Sequence, residues 1–544
     1  MATTLPPPSK RARREAQLPR DTNVIPSDLP SVPVVFQAAA DAQNDNEPSG
    51  LGMVRIPGGS TVAQMEMLLN TLLESTDDPN PYEFRVILPD GKSVNLTSDL
   101  YTNIIRPGLR TSEDVFNIEY TPQAVFRVSA VSRCTATMNG HGGTVLAACF
   151  SPEPNAGRVL TASGDGTTRV WDTETGTPVA VLKGHEKWVL SVVICPSEPW
   201  LVATGSMDCS VRLWDLRTGK PVGNALRGHS KFVTSLAFEP TNMLASSNSS
   251  ARLVSASKDG TARIWDTTSR VCLQVLSGHT ASITSIKWGG LGLIYTCSQD
   301  KTVRVWDASR SGSGSQITLL TTLKAHAHWV NFAALSTDYV LKTGGFDPVR
   351  PPRGKSTDEQ RENPLSDGPV NLIARAKERF SKSATHHGIQ SERVVTASDD
   401  QTMYLWDLFP KGFRSDSTPN MKPVARMVGH QKAINHVAFS ADGRILASCS
   451  FDNSVKLWDG FTGAYLATLR GHVAAVYMCS WSADSRLLVT GSKDCTVKVW
   501  DIKNAKLYED LPGHKDEVYA VEWSPDGRCV VSGGKDKTVK LWKH

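Results

Sequence analysis

The chain has 544 residues, 40% hydrophobic and 21% charged, with a formal net charge of +5 and ten scattered cysteines. That length exceeds one ordinary core, so it implies several domains or a repeat array. No apolar run approaches the roughly 20 residues of a membrane span, the charge is too mild to argue alone for a nucleic-acid partner, and no cysteine pair has zinc-knuckle or redox-motif spacing, which fits a reducing intracellular compartment.

Residues 1–30 are rich in Pro, Ala and charge and cannot bury enough apolar surface to offset the entropy of ordering, so a flexible tail is expected. Inside it, Lys10, Arg11, Arg13 and Arg14 follow three prolines, a compact basic cluster suited to nuclear import or to nucleic-acid attraction, or simply a solvated charge run.

Residues 31–122 read as one small domain. Val34-Val35-Phe36 and Met53 to Ile56 are strands, and Pro57-Gly58-Gly59 turns the chain. Thr61 with Gln64 three residues on starts a helix, with Val62, Met65, Leu68, Leu69, Leu72 and Leu73 at helical spacing. The helix is expected to end near Asp77-Asp78-Pro79. Tyr82 to Leu88 alternates as a strand, Pro89-Asp90-Gly91 turns, and Val115 to Tyr120 is a last strand. The order β-β-α-β-β is that of a ubiquitin-like β-grasp, with one helix laid across a small sheet.

From residue 123 to 544 one sentence repeats. Trp171, Trp214, Trp265, Trp306, Trp406, Trp458, Trp500 and Trp542 each follow an Asp by six residues, from Asp165 to Asp494 and Asp536, and each Asp has its own upstream histidine, from His141 to His472 and His514. Uninterrupted intervals are near 42 residues, as between Trp458 and Trp500. A period of about 40–45 with Gly-His and Trp-Asp ends predicts four-stranded propeller blades, and eight copies predict eight blades. Little chain follows Trp542, so Arg133 to Met138, in the right phase before the first Gly-His, should supply the last outer strand and close the ring. Two insertions interrupt the period: Glu239 to Arg252, read as a surface loop, and 339–393, a loop followed by a basic helical stretch from Leu372 to Phe380. The latter is either a partner-docking helix or a tolerated loop.

His472, Asp494 and nearby Ser492 resemble a catalytic triad, but catalysis needs one geometry in one pocket, and this set recurs eight times at fixed offsets. A structural network of His, Asp, hydroxyl and Trp accounts for His141, Asp165, Trp171, His472, Asp494 and Trp500. The basic residue two before each Trp (Arg169, Arg212, Arg263, Arg304, Lys456, Lys498, Lys540, with Tyr404 the exception) could form a phosphate ring; the preferred reading packs the stems along the blade with tips in solvent.

The repeats resemble the WD-repeat family over 133–544. With the basic tail and a β-grasp domain ending in Ser112-Glu113-Asp114-Val115 and Glu119-Tyr120-Thr121-Pro122, the whole is similar to the Notchless family of large-ribosomal-subunit assembly factors. The resemblance implies a mostly β protein, an eight-bladed propeller preceded by a ubiquitin-like domain, that is no enzyme and has no cofactor of its own. It works in the nucleus and nucleolus, as a monomer within the pre-large-subunit particle among rRNA and other assembly factors, away from membranes. It further implies that the ubiquitin-like domain is held by the ATPase midasin, with Glu113 completing a Mg²⁺ site on midasin, Asp114 the runner-up and Ser112 beside them, and that force passes through the 121–132 connection. The competing readings are a solvated loop acid and, for the whole chain, a WD-repeat scaffold or ubiquitin-ligase substrate receptor.

Overall fold

The computed structural model describes residues 31–38, 53–72, 82–87, 93–96, 100–101 and 114–122, and then 128–544 apart from 153–156, 245–250, 309–315, 347–368, 387–388 and 414–417. The chain divides into two compact units, Met1–Val125 and Phe126–His544. Among the described residues no helix is long and apolar enough to cross a membrane.

The first unit comprises β1 (Ser31–Ala38), β2 (Val54–Pro57), α1 (Val62–Leu72), β3 (Tyr82–Ile87), β4 (Ser93–Asn95) and β5 (Phe116–Pro122). The sheet order is β2-β1-β5-β3-β4. β1 and β5 are parallel, with Val34 opposite Phe116 and Phe36 opposite Ile118, and the remaining pairs are antiparallel. Strand periodicity puts Val32, Val34 and Phe36, Phe84 and Val86, and Phe116, Ile118 and Tyr120 on one buried face. Met65 and Leu69, one helical turn apart, join that core from α1. The Thr61 N–H donates to the Gln64 side-chain oxygen at 3.0 Å, the return bond of a capping box. This is the β-grasp that the element order predicts, with β4 added; a three-residue strand is too short to show alternation.

Among the described residues, the second unit shows eight antiparallel blades. In blade 7, for example, the strands run Val476–Trp481, Leu487–Ser492, Thr496–Asp501 and Lys506–Pro512 from the centre outward. First strands of successive blades pack side by side, and Val518–Trp523 of blade 8 packs on Val145–Phe150 of blade 1, so the ring is closed. Its closure is the predicted one: β6 (Arg133–Met138) is the outer strand of blade 8, with Met138 opposite Val539 and Arg133 opposite Lys543. Apolar layers lie between blades; Val455, Leu457 and Cys449 of blade 6 meet Val476, Leu488 and Trp500 of blade 7.

Part of the expected connection belongs to the propeller. Val128, Ala130 and Val131 are buried against Leu487, Trp523 and Trp542. The Val128 N–H donates to Asp484 Oδ2 at 2.8 Å, and Arg486 Nη2 donates to the Val128 carbonyl at 3.2 Å. Alternating Val-Ser-Ala-Val within a short linker carries too little pattern to reveal this docking.

Candidate functional site

Each blade carries one relay, made where the loop entering the blade meets the hairpin between its second and third strands. In blade 7, His472 Nδ1 lies 2.8 Å from Asp494 Oδ2 and Nε2 lies 2.8 Å from Thr490 Oγ1, while the Trp500 indole N–H donates to the same hydroxyl at 2.9 Å. Asp494 Oδ1 accepts from the Thr496 N–H and hydroxyl at 3.0 and 2.6 Å, and Oδ2 accepts from the Val473 N–H at 3.1 Å. Blade 1 repeats it, with His141 3.1 Å from Asp165 and 2.8 Å from Thr161, and Trp171 donating to Thr161 at 2.8 Å. The hub hydroxyl in the other blades comes from Thr204, Ser255, Thr296, Thr396, Ser448 and Ser532.

Proton bookkeeping fixes the direction of the relay. An ionised Asp only accepts, so the His Nδ1–H donates to it, Nε2 must accept from the hydroxyl, and the hydroxyl oxygen accepts from the indole N–H. Burial pushes the Asp165 carboxyl up, but hydrogen bonds from Thr167, Gly142 and His141 outweigh it and hold it at about 2. Burial lowers His141, partly opposed by Asp165, which keeps the ring neutral. Such a satisfied chain of bonds rigidifies each blade and leaves no group free to react: the His141 and His514 side chains have no exposed surface.

Two details depart from the sequence reading. The hub is Thr490, and Ser492 instead accepts from the Asp494 N–H at 3.1 Å and donates to the Ala475 carbonyl at 2.9 Å. A threonine inside a strand reads only as a strand former, so the hub gave no signal. Nor do all the basic tips reach solvent: Lys498 is buried with Nζ 2.6 Å from Asp510, whereas Lys540 Nζ donates to Thr137 at 3.2 Å and Arg304 Nη2 to the Gly278 carbonyl at 2.8 Å in exposed bonds. These side chains stitch third strands to outer strands or to the loop beyond.

The described parts of the long insertion pack on the propeller. It contains α2 (Asp338–Thr343) and α3 (Pro369–Ala384) between the first two strands of blade 5. α2 reaches across the central channel: Asp338 pairs with Lys287 of blade 4 at 3.1 Å, Lys342 pairs with Glu522 of blade 8, and the Tyr339 hydroxyl donates to the Pro525 carbonyl at 3.1 Å. α3 buries Ile373, Ala376, Phe380 and Ala384, one helical stripe. Gly290 is required beneath it, because a Cβ there would overlap the Phe380 ring. Glu392 ends the insertion, held by the Thr337 hydroxyl and by the Gly290 N–H at 3.1 Å, and burial raises its carboxyl to about 7. The two ends of the shorter insertion are joined by an ion pair at 2.5 Å between buried Glu239 and half-buried Arg252.

Ser112, Glu113 and the basic cluster at Lys10, Arg11, Arg13 and Arg14 lie outside the described residues, as do the predicted helix end at 77–79 and the 89–91 turn. Asp114, next to Glu113, is exposed at the head of β5.

Among the described residues, eight sheets in a closed ring, each carrying one such relay, define a WD-repeat β-propeller protein. The model of the WD domain, G-beta repeat, matches residues 132–172, 176–215, 219–266, 270–307, 421–459, 463–501 and 505–543, passing over the blade that holds the long insertion. The chain is 48% identical to Ribosome assembly protein 4 of Saccharomyces cerevisiae over 86% of this chain and 85% of that one. It is 45% identical to Ribosome assembly protein 4 of Chaetomium thermophilum over the same shares, and 42% identical to Protein Notchless of Drosophila melanogaster over 72% of each. The crystal structure of the computationally designed Ika8 protein superposes with a TM-score of 0.55 at 25% identity, covering 76% of this chain and 100% of that one. The chain therefore belongs to the Notchless family of WD-repeat proteins, together with Ribosome assembly protein 4.

Proposed function

We propose that the chain is a non-enzymatic assembly factor of the large ribosomal subunit, acting in the nucleus and nucleolus. Its propeller docks on the nascent particle, and its β-grasp unit offers Glu113 to a Mg²⁺ held by the adhesion site of the ATPase midasin. The observation that carries this reading is 48% identity along most of both chains to a protein named for ribosome assembly.

The chemistry supports it. Mg²⁺ requires hard oxygen ligands in near-octahedral geometry, and a carboxylate offered by the partner fills one position. Glu113 stands three residues before Phe116, the first residue of β5, a buried strand that lies mid-sheet between β1 and β3. Force arriving along the chain would meet Val128 to Val131, clamped by Asp484 and Arg486 beside the seam where β6 closes the ring.

Binding of purified full-length protein to the midasin adhesion domain, with Mg²⁺ and with EDTA, tests the site. Glu113→Ala should abolish the Mg²⁺-dependent component and Glu113→Asp should weaken it, both with unchanged melting. Wild-type affinity in Glu113→Ala sinks the assignment, and transfer of the effect to Asp114→Ala moves it one residue.

A further inference from the structure

The net charge of +5 conceals a segregated distribution. The relay itself fixes where the loops go: the His–Asp bonds bring the entering loop and the second hairpin of each blade to one face of the ring. Lys187 and Trp188 stand two and three residues beyond His185, and Lys231 and Phe232 hold the same places beyond His229. Lys258 immediately precedes Asp259, and Lys301 immediately follows Asp300. All four lysines are exposed, and in these loops of blades 2 to 4 Glu186 is the one exposed acid among the described residues. The relay aspartates Asp208, Asp259 and Asp300 are largely buried, each bound to a histidine, while the Arg212, Arg263 and Arg304 guanidinium groups lie against Gly184, Gly228 and Gly278 of the entering loops and add positive charge there.

Aromatic surface is interleaved with this charge. Trp188 is 49% exposed although it is a large apolar side chain in a mouth loop. Its ring is backed by Gly164 of blade 1, where a Cβ would touch it at 3.5 Å, so one flat face is supported and the other is open. Lys258 Nζ lies 4.8 Å from the Phe232 ring centre, holding cation and ring together. By contrast, the same face at blades 7 and 8 is charge-compensated, with Lys535 3.5 Å from Asp516 and Lys493 3.8 Å from Glu517.

We infer that the loop face of blades 2 to 4 binds single-stranded RNA, with Lys187, Lys231, Lys258 and Lys301 tracking phosphates and Trp188 stacking a base. An arc of cations with a supported, half-open indole is the arrangement that recognises a flexible polyanion with planar groups. An acidic peptide would satisfy the lysines but leaves the tryptophan face without a partner. The choice of RNA over DNA rests on the particle-docking reading above; the choice of a single-stranded nucleic acid does not.

The test is fluorescence anisotropy of the full-length protein with a labelled oligouridylate of about 16 nucleotides, titrated at several salt concentrations, with a duplex of equal length and poly-glutamate as competitors. The wild type should bind, prefer the single strand and resist poly-glutamate. The triple variant K187E/K231E/K258E should lose at least about tenfold in affinity and flatten the log K against log salt slope by about 2. Trp188→Ala should lose roughly fivefold or more with the slope unchanged. Circular dichroism melting of each variant should match the wild type, because all four side chains are on the surface. No binding by the wild type, or equal binding by the triple variant, overturns the proposal. Equal affinity for the duplex with no effect of Trp188→Ala overturns the stacking role, and poly-glutamate displacing RNA at equal charge identifies a protein-binding face instead. A wild type that binds RNA yet fails to co-sediment with pre-ribosomal particles refutes the docking reading alone.

Discussion

Replacing Asp494 by alanine removes one group that serves four donors: the His472 ring at 2.8 Å, the Val473 N–H at 3.1 Å, and the Thr496 hydroxyl and N–H at 2.6 and 3.0 Å. Val473 is exposed, so its N–H recovers a water. The His472 side chain is 1% exposed and recovers nothing. A hydrogen bond to a charged group contributes about 1.5–3 kcal/mol, so losing the His bond and the Thr496 clamp costs about 4 kcal/mol. The same carboxylate braces a turn in which Cys495 holds φ at +67°, a left-handed conformation that costs a side-chain-bearing residue about 1–2 kcal/mol. Asp494→Ala should therefore lower the melting temperature by roughly 4–5 °C, and adding Cys495→Gly should return about a quarter of the loss. Differential scanning calorimetry reads both, and hydrogen exchange should place the loosening at Val473 and Thr496. A melting point within about 1 °C of wild type, or no rescue by glycine, would refute the relay as the source of blade rigidity.

Three further outcomes are expected. His141, His229, His279 and His514 are all lowered by burial and stay neutral in the folded chain. The unfolded chain then binds more protons once pH falls below about 6.5, so melting temperature should be flat from pH 8 to 7 and decline below 6.5. A second loss should follow as pH falls from about 4 toward the value near 2 held by Asp165 and Asp259; a melting point that rises on acidification contradicts this. Phe380→Ala should expose the long insertion to limited proteolysis, since truncating a buried Phe costs about 3–5 kcal/mol, while the relays of blades 6 to 8 keep their exchange protection. Uniform loss of protection around the ring would instead make the insertion part of the global fold.

The propeller was legible because its signals are local and repeated: an Asp six residues before a Trp, with a His ahead of it, survives in every blade, and that His follows a Gly in all but blade 5, which has Ala325-His326. Even the closing strand followed from phase alone. What escaped was whatever depends on contacts distant in sequence. Thr490 looks like any strand threonine until His472 and Trp500 converge on it. α3 showed its helical pattern, but nothing in 372–380 says that its apolar stripe lands on Gly290, 90 residues earlier. The docking of Val128 on Asp484 joins residues 356 positions apart. The carboxylate assigned to midasin is legible only through family likeness, since one acid in a loop has no pattern of its own.

The most direct test of the whole account is sedimentation of tagged full-length protein on a sucrose gradient from nuclear extract. Wild type should travel with the precursor of the large subunit, and Glu113→Ala should travel there too, as docking through the propeller, proposed above, requires, while losing Mg²⁺-dependent association with midasin. Wild-type protein confined to the light fractions, away from pre-ribosomal RNA, would contradict the assembly-factor reading and favour a soluble WD-repeat scaffold or ubiquitin-ligase receptor.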